Sequence, residues 1–159
     1  MQGLRFQSPE HFQRMESDWQ AESAYLRARY EAHLKRLRPR MSAGIWKFAH
    51  VAFHDCGITG IQIEHPQRVV VNLKGTKYLN FRGRFSQTLG THQLEFNGVT
   101  DIQLSASLPN GYWWLYEELY AAGKQFELRV LLCGDEVSIF SLVFTSVKVV
   151  TKPAKAKQK

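Results

Sequence analysis

Residues 112–132 constrain the fold of this chain more strongly than any other segment. They read YWWLYEELYAAGKQFELRVLL, in which large apolar and polar side chains alternate on both sides of a short run of small residues. A period of two on either side of a small-residue turn predicts a β-hairpin, and therefore an antiparallel sheet. Strict alternation also predicts that Trp114, Tyr116, Glu118 and Tyr120 share one face of the first strand.

Helical signals precede this hairpin. Ser8, Pro9 and Glu10 form a typical helix start, and apolar residues then recur at three-, four- and seven-residue steps as far as Leu37. Pro39 is expected to end this long helix, since proline cannot continue the hydrogen-bonding pattern. Ser42 is expected to cap a second, short helix.

The remaining pattern predicts an α+β fold, with the long helix and the short helix packed on an antiparallel sheet of six to eight strands. Lys74-Gly75 is expected to form one of the turns. We predict a single domain over residues 1–151, with a helical arm at 1–40 and a mainly β region at 41–151. The basic tail 152–159 carries no apolar residue larger than alanine besides its proline, and is expected to be disordered.

Charge and cysteine content restrict the partners and the location. The net charge is +7, with a basic stretch at 27–84 and an acidic stretch at 85–145, which suits a charged partner. No N-terminal signal or membrane-spanning segment is recognisable, so a cytoplasmic location is expected. Cys56 and Cys133 are too far apart in sequence for a zinc motif, and we expect buried, reduced thiols rather than one disulfide bond. No cofactor is expected, no metal site and no catalytic residue.

His54-Asp55 is the candidate for chemistry that the sequence offers. An imidazole beside a carboxylate can bind a metal ion or relay a proton. The sequence favours the alternative, a helix-to-strand junction in which both side chains have structural roles. Glu118 lies among aromatic residues and could have a raised pKa or bind an arginine of a partner, although pairing with Arg129 or Lys124 is the simpler interpretation.

A basic and aromatic segment raises a second functional hypothesis. LKGTKYLNFRGRF, residues 73–85, interleaves Lys74, Lys77, Arg82 and Arg84 with aromatic side chains. Cations bind phosphates and aromatic rings stack on bases, so this pattern is typical of a surface that binds single-stranded nucleic acid. The same pattern also arises in an ordinary amphipathic hairpin.

Three segments together resemble a family of small, largely uncharacterised bacterial proteins: FHDCGITGI at 53–61, LYEELY at 115–120 and FELRVLL at 126–132. The family in turn resembles immunity proteins of polymorphic and type VI toxin systems. This resemblance implies a non-enzymatic protein that binds and neutralises a cognate toxin, and it transfers no catalytic residue. Nucleic-acid binding is the alternative. The expected partner-binding residues are Trp114, Tyr116, Glu118, Tyr120, Arg82 and Arg84.

Overall fold

A computed structural model describes residues 9–64, 67–104 and 111–155, without the side chains of residues 9–16 and 19. The chain divides into two compact units, Met1–Arg38 and Pro39–Lys159. The boundary lies between Arg38 and Pro39. The two units are described separately below.

The first unit is formed by one helix, α1 (Pro9–Leu37), which has 29 residues. Its last turn carries Lys35 and Arg36, whose positive charges are favourable near the carbonyl end of a helix. The α-helix ends two residues before Pro39, as predicted, and a short 3-10 helix (Arg38–Arg40) follows in the chain. The expected cap Ser8 lies outside the described residues. No helix in the described part of the chain has the length and apolar character needed to cross a membrane.

The second unit consists of a short helix and an antiparallel sheet, which confirms the predicted α+β class. Its elements are α2 (Ala43–Phe48), β1 (Val51–Ala52), β2 (Cys56–Glu64), β3 (Arg68–Phe81), β4 (Arg84–Asn97), β5 (Asp101–Leu104), β6 (Trp113–Ala122), β7 (Gln125–Cys133), β8 (Val137–Phe144) and β9 (Ser146–Pro153). The described residues thus form nine strands, in the order β5-β8-β7-β6-β2-β3-β4-β9, with β1 paired to β3. The sequence predicted six to eight, and the additional strand is the two-residue β1.

Helix α2 begins where the sequence predicted a cap. The Ser42 hydroxyl accepts a hydrogen bond from the backbone N–H of Ile45 (3.3 Å), and this bond satisfies one of the free donors at the helix start. Ile45 and Phe48 are buried, and the ring of Phe48 meets Phe96 of β4 edge-on at 5.9 Å. The short helix therefore covers part of the core.

The sheet curls so that its distant strands share one core. Strands β4 and β8 are five places apart in the sheet, which would separate them by about 24 Å if the sheet were flat. The rings of Phe96 on β4 and Phe144 on β8 nevertheless lie 5.0 Å apart. The sheet thus has a concave inner face filled by apolar side chains and a convex outer face that contacts solvent.

The hairpin formed by β3 and β4 is longer than the sequence predicted. Fourteen residue pairs are in register, from Arg68 opposite Asn97 to Phe81 opposite Arg84. The expected turn at Lys74-Gly75 is wrong, because β3 continues through both residues and the chain turns at Arg82-Gly83. The close packing of β2 against β3 explains why residue 75 is a glycine. A Cβ atom at Gly75 would lie 2.8 Å from the sulfur of Cys56 on β2.

Strand β9 also extends further than predicted. Lys152 and Pro153 are paired with Thr91 and Gly90 of β4, and the N–H of Ala154 donates to the Leu89 carbonyl (2.9 Å). The predicted start of the disordered tail at residue 152 is therefore wrong, because these residues belong to the sheet. Residues 156–159 lie outside the described residues.

Gly90 should be essential for the β4–β9 pairing. A Cβ atom at Gly90 would overlap the carbonyl oxygen of Lys152 and lie 3.0 Å from Pro153 Cα, so the end of β9 would have to move. We expect Gly90→Ala to lower the free energy of unfolding by about 1–3 kcal/mol in urea titrations. Gly57→Ala is the matched control, since the nearest atom to its Cβ would be 3.9 Å away. Equal effects of the two substitutions would contradict this explanation.

Candidate protein-binding surface

A β-bulge in β6 determines which aromatic side chains reach the surface. Trp114 pairs with Leu132 of β7, but Tyr116 pairs with Leu131, so Leu115 is an additional residue. Each additional residue reverses the alternation beyond it. The prediction that Trp114 shares a face with Tyr116 is therefore wrong: Trp114 is fully buried, with 0% exposure, whereas Tyr116 points outward and is 60% exposed.

The His54-Asp55 pair holds this bulge in place. His54 Nδ1 donates to the Leu115 carbonyl oxygen (2.7 Å), and the backbone N–H of Asp55 donates to the Trp114 carbonyl oxygen (2.9 Å). Asp55 adopts a positive φ of 62°, which aspartate tolerates better than most residues. His54 Nε2 and Asp55 Oδ2 are 3.4 Å apart, beyond a normal hydrogen bond. This geometry fits the structural-junction interpretation.

Beyond the bulge, Glu117 points into the core instead of the solvent. It lies in register with Val130 of β7, and its Oε2 accepts a hydrogen bond from Trp114 Nε1 (2.6 Å). Burial raises the pKa of Glu117 to about 7, although hydrogen bonds from Trp114 and the Phe53 backbone and the proximity of His54 partly oppose the shift. The sequence directed attention to Glu118, but Glu117, a half-buried residue, is the one whose carboxyl group faces the core.

The outward face of β6, β7 and β8 carries an apolar patch made of two rows that cross the three strands. Its six residues are Trp113, Cys133 and Val137 in one row and Tyr116, Leu131 and Ile139 in the other. We call this set the β6–β8 patch. Four members are more than half exposed: Trp113 51%, Tyr116 60%, Val137 68% and Ile139 56%. Contiguous exposed apolar residues of this kind mark interaction surfaces more often than isolated ones do.

A polar border follows the patch along the same face. The Tyr120 hydroxyl donates to Glu118, and Arg129 binds the Glu127 carboxylate with two hydrogen bonds of 2.8 and 3.0 Å. The Arg129 guanidinium carbon also lies 4.8 Å from the centre of the Tyr120 ring. Glu118 lies directly opposite Arg129 in the β6–β7 register, as expected for a sheet-surface pair, although the hydrogen bonds of Arg129 go to Glu127 on its own strand.

Two predicted site residues lie elsewhere, at the tip of the β3–β4 hairpin. Arg82 and Gly83 both have positive φ, 53° and 73°, as required by the two-residue turns that match the twist of a hairpin. Arg82 lies 5.2 Å from the Phe81 ring, and the exposed Phe85 stacks on Tyr78 with ring centres 6.3 Å apart. Arg82 and Arg84 therefore form a second exposed cluster, on different strands from the β6–β8 patch.

The two cysteines are free and lie on opposite faces of the sheet. Cys56 is buried beside Trp114, whereas Cys133 belongs to the outward patch, so the strand between them prevents a disulfide bond. Burial, together with the nearby Glu117 and Asp55, raises the pKa of the Cys56 thiol to about 11. The expected burial holds for Cys56, whereas Cys133 is half-buried.

The predicted site residues did not include Trp113, Val137 and Ile139. The sequence does contain a signal for β8, where outward Val137 and Ile139 alternate with buried Ser138 and Phe140. Alternation correctly predicts that Trp113 faces away from Trp114, and the choice of Trp114 failed because the bulge separates it from the face of Tyr116. Among the residues that the structure describes, no group of three or more His, Cys, Asp or Glu side chains could hold a metal ion.

Sequence comparison identifies a family for the chain. Residues 6–141 match the family described as "Protein of unknown function (DUF4085)". The chain belongs to this family. The matched segment includes the bulge, the His54-Asp55 junction and all six residues of the β6–β8 patch, so these features lie within the DUF4085 region. No curated protein is significantly similar to the chain.

The buried carboxyl group of Glu117 should make stability depend on pH. Its pKa is raised from 4.5 to about 7 by folding, so the protonated form favours the folded state and this contribution disappears as the pH rises from 4.5 through 7. We expect the free energy of unfolding to fall by up to about 3 kcal/mol across this interval relative to Glu117→Gln, in which the group cannot ionise.

Chemical denaturation of both proteins between pH 4.5 and 8 measures this difference. The comparison with Glu117→Gln cancels the opposing contribution of His92, whose pKa is lowered by burial and which destabilises the fold when it is protonated. Parallel pH profiles of the two proteins would show that Glu117 ionises normally in the folded state.

Proposed function

We propose that this protein is a non-enzymatic immunity protein that neutralises a cognate bacterial toxin in the cytoplasm by direct association. The proposal joins two independent considerations. The resemblance carried by residues 53–61, 115–120 and 126–132 implies a role of this kind. The exposed β6–β8 patch offers a surface that is suited to a protein partner.

The single observation that carries the proposal is the composition of the patch. Trp113 and Tyr116 lie beside aliphatic side chains on three neighbouring strands, and hydrogen bonds within the sheet fix their backbone positions. Tryptophan and tyrosine are enriched among the residues that contribute most to protein binding. A rigid strand presents them with little loss of conformational entropy, which favours tight association.

The polar border supports specificity. Glu118, Tyr120, Glu127 and Arg129 surround one side of the patch and are already linked to each other by hydrogen bonds and ring contact. Polar rims exclude water from an apolar centre and select partners with complementary charge. Of the predicted partner-binding residues, Tyr116, Glu118 and Tyr120 lie on the same face of the sheet as the patch, which supports the proposal. In this proposal Trp113 replaces the buried Trp114 as an anchor.

The patch can be tested by co-expression with each candidate toxin domain found among the neighbouring genes. We expect the wild-type protein to restore growth and to form a stable complex on size exclusion. Tyr116→Ser combined with Ile139→Ser should weaken the complex by about 2–4 kcal/mol, or about 30- to 1000-fold, since both residues contribute exposed apolar surface to the patch.

Ile63→Ser is the matched control for this experiment. Ile63 is exposed to a similar degree, 59%, but belongs to β2 and lies outside the patch. It should leave both the rescue and the affinity unchanged. Absence of rescue by the wild-type protein would refute the proposed function, and equal effects of the control and the patch substitutions would refute the assignment of the surface.

Nucleic-acid binding is the second candidate, and the tip of the β3–β4 hairpin supports it. Arg82 and Arg84 flank the turn, and Phe85 is 67% exposed beside Tyr78. This arrangement offers cations for phosphates and a ring for base stacking. The acidic residues beside the β6–β8 patch are unsuited to a phosphate backbone, so this function would use the hairpin tip alone.

The salt dependence of binding distinguishes this candidate. If the tip binds single-stranded nucleic acid, Arg82→Gln with Arg84→Gln should reduce the slope of log affinity against log salt by about 1.4, because two phosphate contacts are lost. Fluorescence anisotropy with labelled oligonucleotides at several salt concentrations measures this slope. Lys124→Gln with Lys148→Gln removes the same charge elsewhere and should leave the slope unchanged. No binding at low salt would exclude the candidate.

A further inference from the structure

The outer face of the sheet also contains a groove beside the β6–β8 patch. It crosses five neighbouring strands, β6, β2, β3, β4 and β9, and encloses about 690 Å³. The residues used below include Gly57, Lys74, Leu89, Trp113, Lys152 and Pro153. Of these, Trp113 also belongs to the β6–β8 patch and Lys74 to the basic segment at 73–85, but neither hypothesis accounts for the groove as a whole.

The walls of the groove are apolar and exposed. Leu89 of β4 is 62% exposed and Trp113 of β6 is 51% exposed, and Pro153 lies at the far end. Gly57 of β2 leaves the middle of the groove open, since a Cβ atom there would have no protein atom closer than 3.9 Å. Burying such walls against a ligand would remove apolar surface from water.

Charges give the groove a direction. Lys74 on β3 and Lys152 on β9 are exposed and line the groove, and Lys155 follows it closely in the chain. Asp55 lines the opposite end, beside β6, and is the one carboxylate among the groove residues that the structure describes. The electrostatic potential of these side chains therefore favours an anionic group at the end of the groove formed by β3, β4 and β9. It disfavours an anionic group at the other end, beside Trp113.

Length and charge together define the occupant. Five neighbouring strands span about 19 Å at 4.8 Å per spacing, which equals about six residues of extended chain. We propose that the groove binds an extended peptide segment of a partner protein, with apolar side chains against Trp113 and Leu89 and acidic side chains toward Lys74 and Lys152. This inference goes beyond the proposed function, because it concerns a groove that shares only Trp113 with the β6–β8 patch and requires no toxin.

Synthetic peptides test this inference directly. The probes are two pools of hexapeptides with leucine, isoleucine or phenylalanine in the first three positions and either acidic or basic residues in the last three. In NMR titrations of the full chain, the acidic pool should shift the amide signals of Gly57 and Gly90 and bind at least about tenfold more tightly than the basic pool. A third probe, decanoate, represents a simple anionic amphiphile.

Substitutions locate the binding. Gly57→Val fills the groove and should weaken binding of the acidic pool by about tenfold or more, whereas Gly60→Val on the same strand is the control, since Gly60 does not line the groove. Lys74→Glu with Lys152→Glu should reverse the preference between the pools. Lys148→Glu, an exposed change on the same strand as Lys152, should not reverse it.

The outcomes are separable from those of the toxin experiment. If co-expression gives no rescue from the toxin but the acidic peptides bind, the immunity function is refuted and the groove assignment stays intact. No binding of the acidic pool at about 1 mM, equal binding of both pools, or shifts by decanoate alone would overturn the inference. If Gly57→Val fails to fold, as judged by circular dichroism, the charge-reversal variants decide the question, because both lysines are exposed.

Discussion

The bulge at Leu115 is the constraint on which the rest of the molecule depends. One additional residue in β6 lets Trp114 enter the core, where its ring meets Phe53 at 5.9 Å, while Tyr116 points to solvent. Without this residue, uniform alternation would place both rings on the same face. Either the core would lose its largest side chain or the outer face would lose an aromatic residue of the patch.

The bulge is stable because a distant segment satisfies its backbone. A bulge interrupts the ladder of hydrogen bonds and leaves polar groups that would be costly to bury. The carbonyl groups of Trp114 and Leu115 accept hydrogen bonds from the Asp55 backbone and the His54 ring, respectively. The same reversal brings Glu117 into the core, where Trp114 donates to its carboxyl group. A buried carboxyl group is thus a consequence of the arrangement that exposes the patch.

Local signals in the sequence were sufficient for much of the fold. The hairpin of β6 and β7, the start of α2 at Ser42 and the end of α1 near Pro39 all follow from periodicity, capping and proline geometry, which act over a few residues. The bulge could not be predicted in this way, since its hydrogen-bond donors lie about sixty residues earlier in the chain. Gly75 misled the interpretation for a related reason: its lack of a side chain accommodates Cys56 on a neighbouring strand, and this contact is invisible in local sequence.

The sequence predicted a candidate binding surface on β6 but not all of the residues that form it. The missing residues depend on the bulge and on the register of neighbouring strands. Aromatic and charged residues in β6 indicated a binding surface, yet the exposed ring next to Tyr116 is Trp113 rather than Trp114. The partners of Trp113, Cys133 and Val137, come from two further strands whose register is a tertiary property. The patch adjoins Glu118 and Glu127, while the basic Arg82 and Arg84 lie on another hairpin. An apolar centre with an acidic border suits a protein partner better than a polyanion, because phosphates would meet like charge at its edge.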